Sequence, residues 1–132
     1  MSRKQSREIA FKLLFALAFE GGGETELRLA SEEVIDEKEM QYINNLCSQV
    51  KTNLEKIDEL ISTTAKGFSF DRIFKVDLTA LRLAVAEIMY IDETPDIVAV
   101  NEAVNLVKKY GTEHSAGYVN GILASVLESK AK

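Results

Sequence analysis

The sequence predicts an all-α protein, and three observations carry that prediction. Apolar residues recur in steps of three and four in five separate stretches, the spacing of a helix face and not the alternation of a strand. No stretch of the chain reads as a credible strand, and no repeat of fixed period is present. The strongest helix breakers, the single Pro95 and the glycines at 21–23, 67 and 111, lie between these stretches and not inside them.

In the first stretch Ile9, Ala10, Leu13, Leu14, Leu17 and Ala18 form one stripe, widened by Phe11, Phe15 and Phe19. This predicts a largely buried helix from about Ser2 to Phe19, stopped by Gly21–Gly23, where backbone freedom makes continuation costly. A short helix is expected near Glu24–Ala30. From Glu37 the positions Met40, Ile43, Leu46, Cys47, Val50, Leu54, Ile57, Leu60 and Ile61 keep the same phase and predict the longest helix. Phe68, Phe70, Ile73 and Phe74 then form a partly helical hinge that must bury aromatic surface. Val76, Leu78, Leu81, Ala84, Val85, Ile88 and Met89 make the next stripe, with Asp77 near its N-terminus, where the helix dipole favours a carboxylate. Thr94 and Pro95 mark the turn into another helix, because proline is tolerated in a first turn and excluded later. Ile97, Val100, Val104 and Val107 give that helix its apolar face, and Gly111 its end. Tyr118, Val119, Ile122, Leu123, Val126 and Leu127 form the last stripe, with Thr112 and Ser115 as candidate N-caps.

A chain of 132 residues with 46% hydrophobic content is long enough for one compact domain with a real core. A single cysteine excludes an intramolecular disulfide, and the start of the chain has no charged-then-apolar leader, so a cytoplasmic setting is expected. Lys12, Lys51, Arg82 and Lys108 interrupt every apolar run, so no membrane span is expected. The net charge of -5 argues against a protein that coats nucleic acid through a global positive field. Its distribution is polarised: residues 1–12 carry +3, and residues 24–39 carry -5.

Catalytic chemistry has little to work with. One His and one Cys exclude most nucleophile–base pairs and metal clusters, so the chain reads as a non-enzyme with no cofactor and no metal. Cys47 lies on an apolar helix face as a packed thiol, and His114 sits between two helices in a capping or surface role. Gly21–Gly23 lack the flanking strand and lysine of a phosphate cradle.

Three segments together resemble the NusB family. The first is Ser6, Arg7, Glu8, Ile9, Ala10 with Leu13, Leu14 and Phe15; the second is Val76, Asp77 with Leu81, Arg82, Leu83, Ala84, Glu87 and Ile88. The third is the most specific: Pro95, Val98–Val104 containing Asn101-Glu102-Ala103, then Lys108, Tyr110-Gly111, Ser115, and Tyr118-Val119-Asn120-Gly121. The resemblance implies a bundle of about seven helices in two subdomains of three to four helices, about 1–67 and 68–132. It also implies transcription antitermination: with the ribosomal protein NusE such a protein binds the boxA element of nascent RNA, notably rRNA, as single strand. There it helps RNA polymerase, with other Nus factors, to avoid premature termination.

On that reading Arg3, Lys4 and Arg7 are candidate phosphate contacts, although by composition alone they describe a solvated terminus. Tyr118 occupies the family's aromatic position, where a ring can stack on an unpaired base; core packing is its alternative. Asp71, Asp77 and His114 are candidate contacts for the ribosomal protein. Asn101, Glu102, Asn120 and Gly121 are expected to be structural. The sequence departs from the family at Gln5 and Ser6, which thin the basic cluster, at His114 where Asp is common, and at Gly117 where Lys is common. A helical interaction module or homodimer with no RNA role is the competing reading, and an accessory domain of an RNA methyltransferase is a more distant one.

Overall fold

A computed structural model describes residues 2–20, 36–65 and 69–131. The described residues contain six α-helices: α1 (Arg3–Phe15), α2 (Glu37–Thr52), α3 (Leu54–Thr64), α4 (Lys75–Tyr90), α5 (Asp96–Tyr110) and α6 (Ser115–Ala131). No strand occurs among the described residues. The helix expected near Glu24–Ala30, the stop at Gly21–Gly23, and Gly67 with Phe68 lie outside those residues.

Helix α1 begins on a capping box. The Ser2 hydroxyl accepts from the Gln5 amide while the Gln5 side chain accepts from the Ser2 amide, which satisfies two of the otherwise orphaned donors. The helix continues into a π-helical turn, Ala16–Glu20. That wider coil shifts the phase of the stripe, so Leu17 and Ala18 are exposed where an uninterrupted α-helix would bury them.

The expected longest helix is two. It breaks at Asn53, whose backbone (φ -108, ψ 16) leaves the helical region, and whose side-chain amide donates to the Gln49 carbonyl. The apolar register survives the break, since Ile43, Leu46, Val50, Ile57 and Ile61 are all buried. For that reason the spacing of apolar residues does not reveal it.

Helix α4 is the axis of the molecule, packed by each of the other five helices. Its composition explains this position. Leu78, Ala80, Leu81, Leu83, Ala84, Val85, Ala86 and Ile88 are buried all round the helix, where a one-sided stripe was expected. The alanines let neighbouring backbones approach closely. Met89, counted in that stripe, is instead exposed at the helix end. In the hinge, a 3-10 turn at Phe70–Arg72, Ile73 is buried and Phe70 is half-buried, but Phe74 is 48% exposed, against the expectation of aromatic burial.

Pro95 caps α5 from the position just before its first turn. The buried face of α5 is Ala99, Val100, Ala103, Leu106 and Val107, rotated from the expected valine stripe toward the small residues that fit against α4; Ile97 is 61% exposed. Gly111 ends the helix with negative φ, so its role is close approach and not left-handed backbone. A Cβ there would lie 2.5 Å from the Ser115 hydroxyl and 2.7 Å from the Val107 carbonyl. Thr112 and Ser115 cap α6 reciprocally: the Thr112 hydroxyl accepts from the His114 amide, and the Ser115 hydroxyl accepts from the Thr112 amide. One contiguous core runs from Ala10 on α1 to Val126 on α6, so residues on both sides of the hinge share it. No described helix is long and apolar enough to cross a membrane.

Candidate nucleic-acid interface

The N-terminal arginines are struts. Arg7 is 5% exposed and binds Glu87 of α4 through two hydrogen bonds, Nε at 2.8 Å and Nη2 at 3.2 Å. Burial disfavours its charge, but the bonds to Glu87 more than restore it, leaving the guanidinium above its ordinary pKa. Arg3 binds Glu39 of α2 in the same two-pronged way, at 3.0 and 3.1 Å, and its guanidinium lies 3.8 Å from the centre of the Tyr42 ring. The buried Ser6 hydroxyl donates to the same Glu39, whose carboxyl is held below its ordinary value foremost by the bond from Arg3. The expectation that Arg7 contacts phosphate is therefore corrected: its side chain is inside the protein, with Nε and Nη2 held by Glu87. Arg3 is partly accessible, yet committed to Glu39.

Cations available to a ligand lie on the next face of α1. Lys4, Glu8 and Lys12 are four residues apart and face α5, which does not pack closely along α1 because both helices rest on α4. The gap is a groove of about 430 Å³ lined by Lys4, Glu8, Glu102, Asn105, Lys108 and Lys109. Long side chains bridge it. Glu8 accepts from Lys109 at 2.6 Å and from the Tyr110 hydroxyl, while Phe11 stacks on Tyr110 with ring centres 5.6 Å apart. The Lys12 and Lys109 ammonium groups lie 5.8 and 5.3 Å from the centre of the Tyr110 ring. The result is a cationic strip with an aromatic ring fixed in it, the composition that binds single-stranded nucleic acid. Of the candidates drawn from sequence, Lys4 belongs to it. Lys12, Lys108, Lys109 and Tyr110 were missed, although the four-residue spacing of Lys4, Glu8 and Lys12 marks one face of α1.

The remaining candidates collect at the opposite end of α4. The Ser115 hydroxyl at the start of α6 lies near Asp77 in the first turn of α4 and favours its carboxylate, which brings Asp77, His114 and Tyr118 to one end of the bundle. Asp77 and Glu87 are ten residues apart, about 15 Å of helix axis, so Tyr118 and Arg7 do not share a patch. Tyr118 is half-buried against the core with its hydroxyl inside, beyond the turn that ends α5. Asp77 is 5% exposed, which corrects its assignment as a partner contact, and burial raises its carboxyl above the ordinary value. Asp71 and His114 are exposed there. Asn101 and Asn120 are also exposed, and a Cβ at Gly121 would meet nothing within 4 Å, so the expected buried, close-packed roles of these residues are not what the fold uses. Glu102 is half-buried in the groove wall.

Cys47 is buried, and that burial pushes its thiol up to about 11, where almost none is thiolate at neutral pH. Among the described residues no three His, Cys, Asp or Glu side chains converge as metal ligands.

Known proteins match this arrangement over nearly its whole length. The NusB family model matches residues 4–128. A transcription antitermination protein NusB from Natranaerobius thermophilus is 44% identical, over 96% of this chain and 94% of that relative. The solved structure of T. maritima NusB is similar with a TM-score of 0.88 at 34% identity, covering 97% of this chain and 92% of that one. A crystal structure of antitermination factors NusB and NusE in complex with dsRNA gives a TM-score of 0.85 at 29% identity, over 96% of each chain. Sequence and fold agree along the full bundle, and the chain belongs to the NusB family.

Proposed function

We propose that this protein is a cytoplasmic transcription antitermination factor that binds boxA-type RNA of nascent transcripts, notably of rRNA operons, together with the ribosomal protein NusE. It acts with RNA polymerase and other Nus factors, and as a binding protein and not an enzyme. Support comes from the family and from a structural relative that is a NusB–NusE–dsRNA complex. The observation that carries the reading is local. On a chain of net charge -5, Lys4, Lys108 and Lys109 line the groove between α1 and α5, and Lys12 and Lys109 flank the Tyr110 ring beside it.

RNA phosphates are held by these lysines, Tyr110 offers a stacking face, and Tyr118 extends the surface past the turn after α5. The second protein docks where α4 and α6 begin, near the exposed Asp71 and His114. Arg3 and Arg7 hold α1 in place and contribute to RNA binding through that placement.

The test is anisotropy titration of a labelled single-stranded boxA RNA over a salt series, with and without NusE, and with a duplex RNA in parallel. Binding should weaken with salt and strengthen with NusE. Lys108→Ala/Lys109→Ala should lower the affinity about tenfold and flatten the slope of log K against log salt by about 0.7 to 1.4, the range for one to two lost phosphate contacts on a single strand. Equal affinity and slope for the parent and the double variant would remove the groove from the interface. Preference for the duplex would overturn the single-strand assignment.

A further inference from the structure

We propose that Glu8 is an internal anion that occupies Lys109 and Tyr110 until an RNA phosphate displaces it, and so sets the affinity and salt dependence of the groove. This rests on the RNA-binding reading above. One carboxylate oxygen, Oε1, accepts from both the Lys109 ammonium and the Tyr110 hydroxyl. An anionic oxygen receiving an ammonium and a phenol is the arrangement that a phosphate oxygen would also satisfy, so the two ligands compete for the same donors. The donors are ready for either. Phe11 stacks on Tyr110 and fixes its ring, while the Lys109 side chain is 61% exposed and free to swing on its flexible stem.

The contrast with Arg7 and Glu87 shows why this pair can open. Those two side chains are 6% and 1% exposed, and separating them would strand a buried charge. Glu8 is 22% exposed at the groove lip, so water and salt can take over when Lys109 leaves it. Exchange has a signature in salt. When Lys109 moves from Glu8 to a phosphate, one ion pair replaces another, so the contact adds little to the salt slope, against about 0.7 for a lysine with no internal partner.

Glu8→Gln keeps an oxygen for Tyr110 but removes the charge. RNA affinity should rise about threefold, the strength of an exposed ion pair, and the salt slope should steepen by about 0.7. In the background of Lys109→Ala, Glu8→Gln should give no such gain. Glu55→Gln, which removes an equal charge on the exposed surface of α3 and outside the groove lining, should change affinity less than Glu8→Gln. Weaker binding by Glu8→Gln would show that the carboxylate positions Lys109 for RNA and would overturn the proposal. So would a gain that persists without Lys109, or one that Glu55→Gln reproduces, since either reports net charge alone. A parent chain that binds RNA while these comparisons fail loses only the role given to Glu8; a parent chain that binds no RNA with NusE loses the functional reading as well.

Discussion

Helix α4 buries a carboxylate at each end, and the two ends are built differently. At the C-terminal end Glu87 meets Arg7 in a two-pronged pair with both side chains inside. At the N-terminal end Asp77 lies near the Ser115 hydroxyl, and among the described residues its buried Oδ1 has no hydrogen-bond partner. Burial sets opposite demands in the two places. Glu87 makes the fold depend on its charge, because among the described residues it is the carboxylate that receives both hydrogen bonds of the buried Arg7. Asp77 gains nothing from a second charge, and desolvation favours its protonated form. One end locks the register of α1 on α4; the other sets a desolvated carboxyl between α4 and α6, where a neutral side chain would serve as well.

The largest expected effect breaks the charged end. Glu87→Ala leaves Arg7 buried and unpaired and should cost about 3–5 kcal/mol in urea unfolding. Arg7→Met/Glu87→Leu, which removes both charges and fills the space, should recover most of that loss. If the double variant were as unstable as the single one, the pair would be doing more than neutralising itself.

Gly111→Ala comes next, at the turn that sets α6 against the Asp77 end. Its Cβ would meet Ser115 and the Val107 carbonyl at distances no relaxed structure keeps, so a loss of about 1–3 kcal/mol is expected. A thermal midpoint equal to the parent's would show that the turn yields easily.

The smallest effect sharpens the comparison. Because Asp77 has a folded pKa above its usual value of 3.8, the stability it contributes is complete below that usual value and is lost as pH rises through the folded one. At neutral pH its carboxylate therefore weighs against the fold. Asp77→Asn should be equal to or more stable than the parent at about pH 7, by about 1 kcal/mol or less, with the difference closing toward about pH 4. A variant that is less stable at pH 7 would mean that the carboxylate is stabilised there, by the dipole of α4.

Much of the fold was legible because burial is written in period. The faces of α2 and α6 follow from apolar spacing, and the turn at Pro95 follows from proline's missing amide, whereas α4 is buried all round and not on one stripe. The break at Asn53 was not legible, since the spacing of Val50, Ile57 and Ile61 runs through it unchanged. Nor was the phase shift at Leu17, because nothing in a local window distinguishes a π turn from another turn of α-helix. The interface was harder still. Basic residues near the N-terminus read alike, yet Arg7 is interior and Lys4 lines the groove. Which of them stays at the surface depends on Glu87 and Glu39, acids 80 residues from Arg7 and 36 from Arg3 in the chain.

By itself the sequence determined that this chain is helical, where most helices begin and end, and the family to which it belongs, since these rest on local spacing and on motifs in order. Only tertiary structure decided which charges are spent inside and which remain on the surface. A charged side chain takes its role from the partner that reaches it and from the water it loses, and both are set by residues distant in the chain.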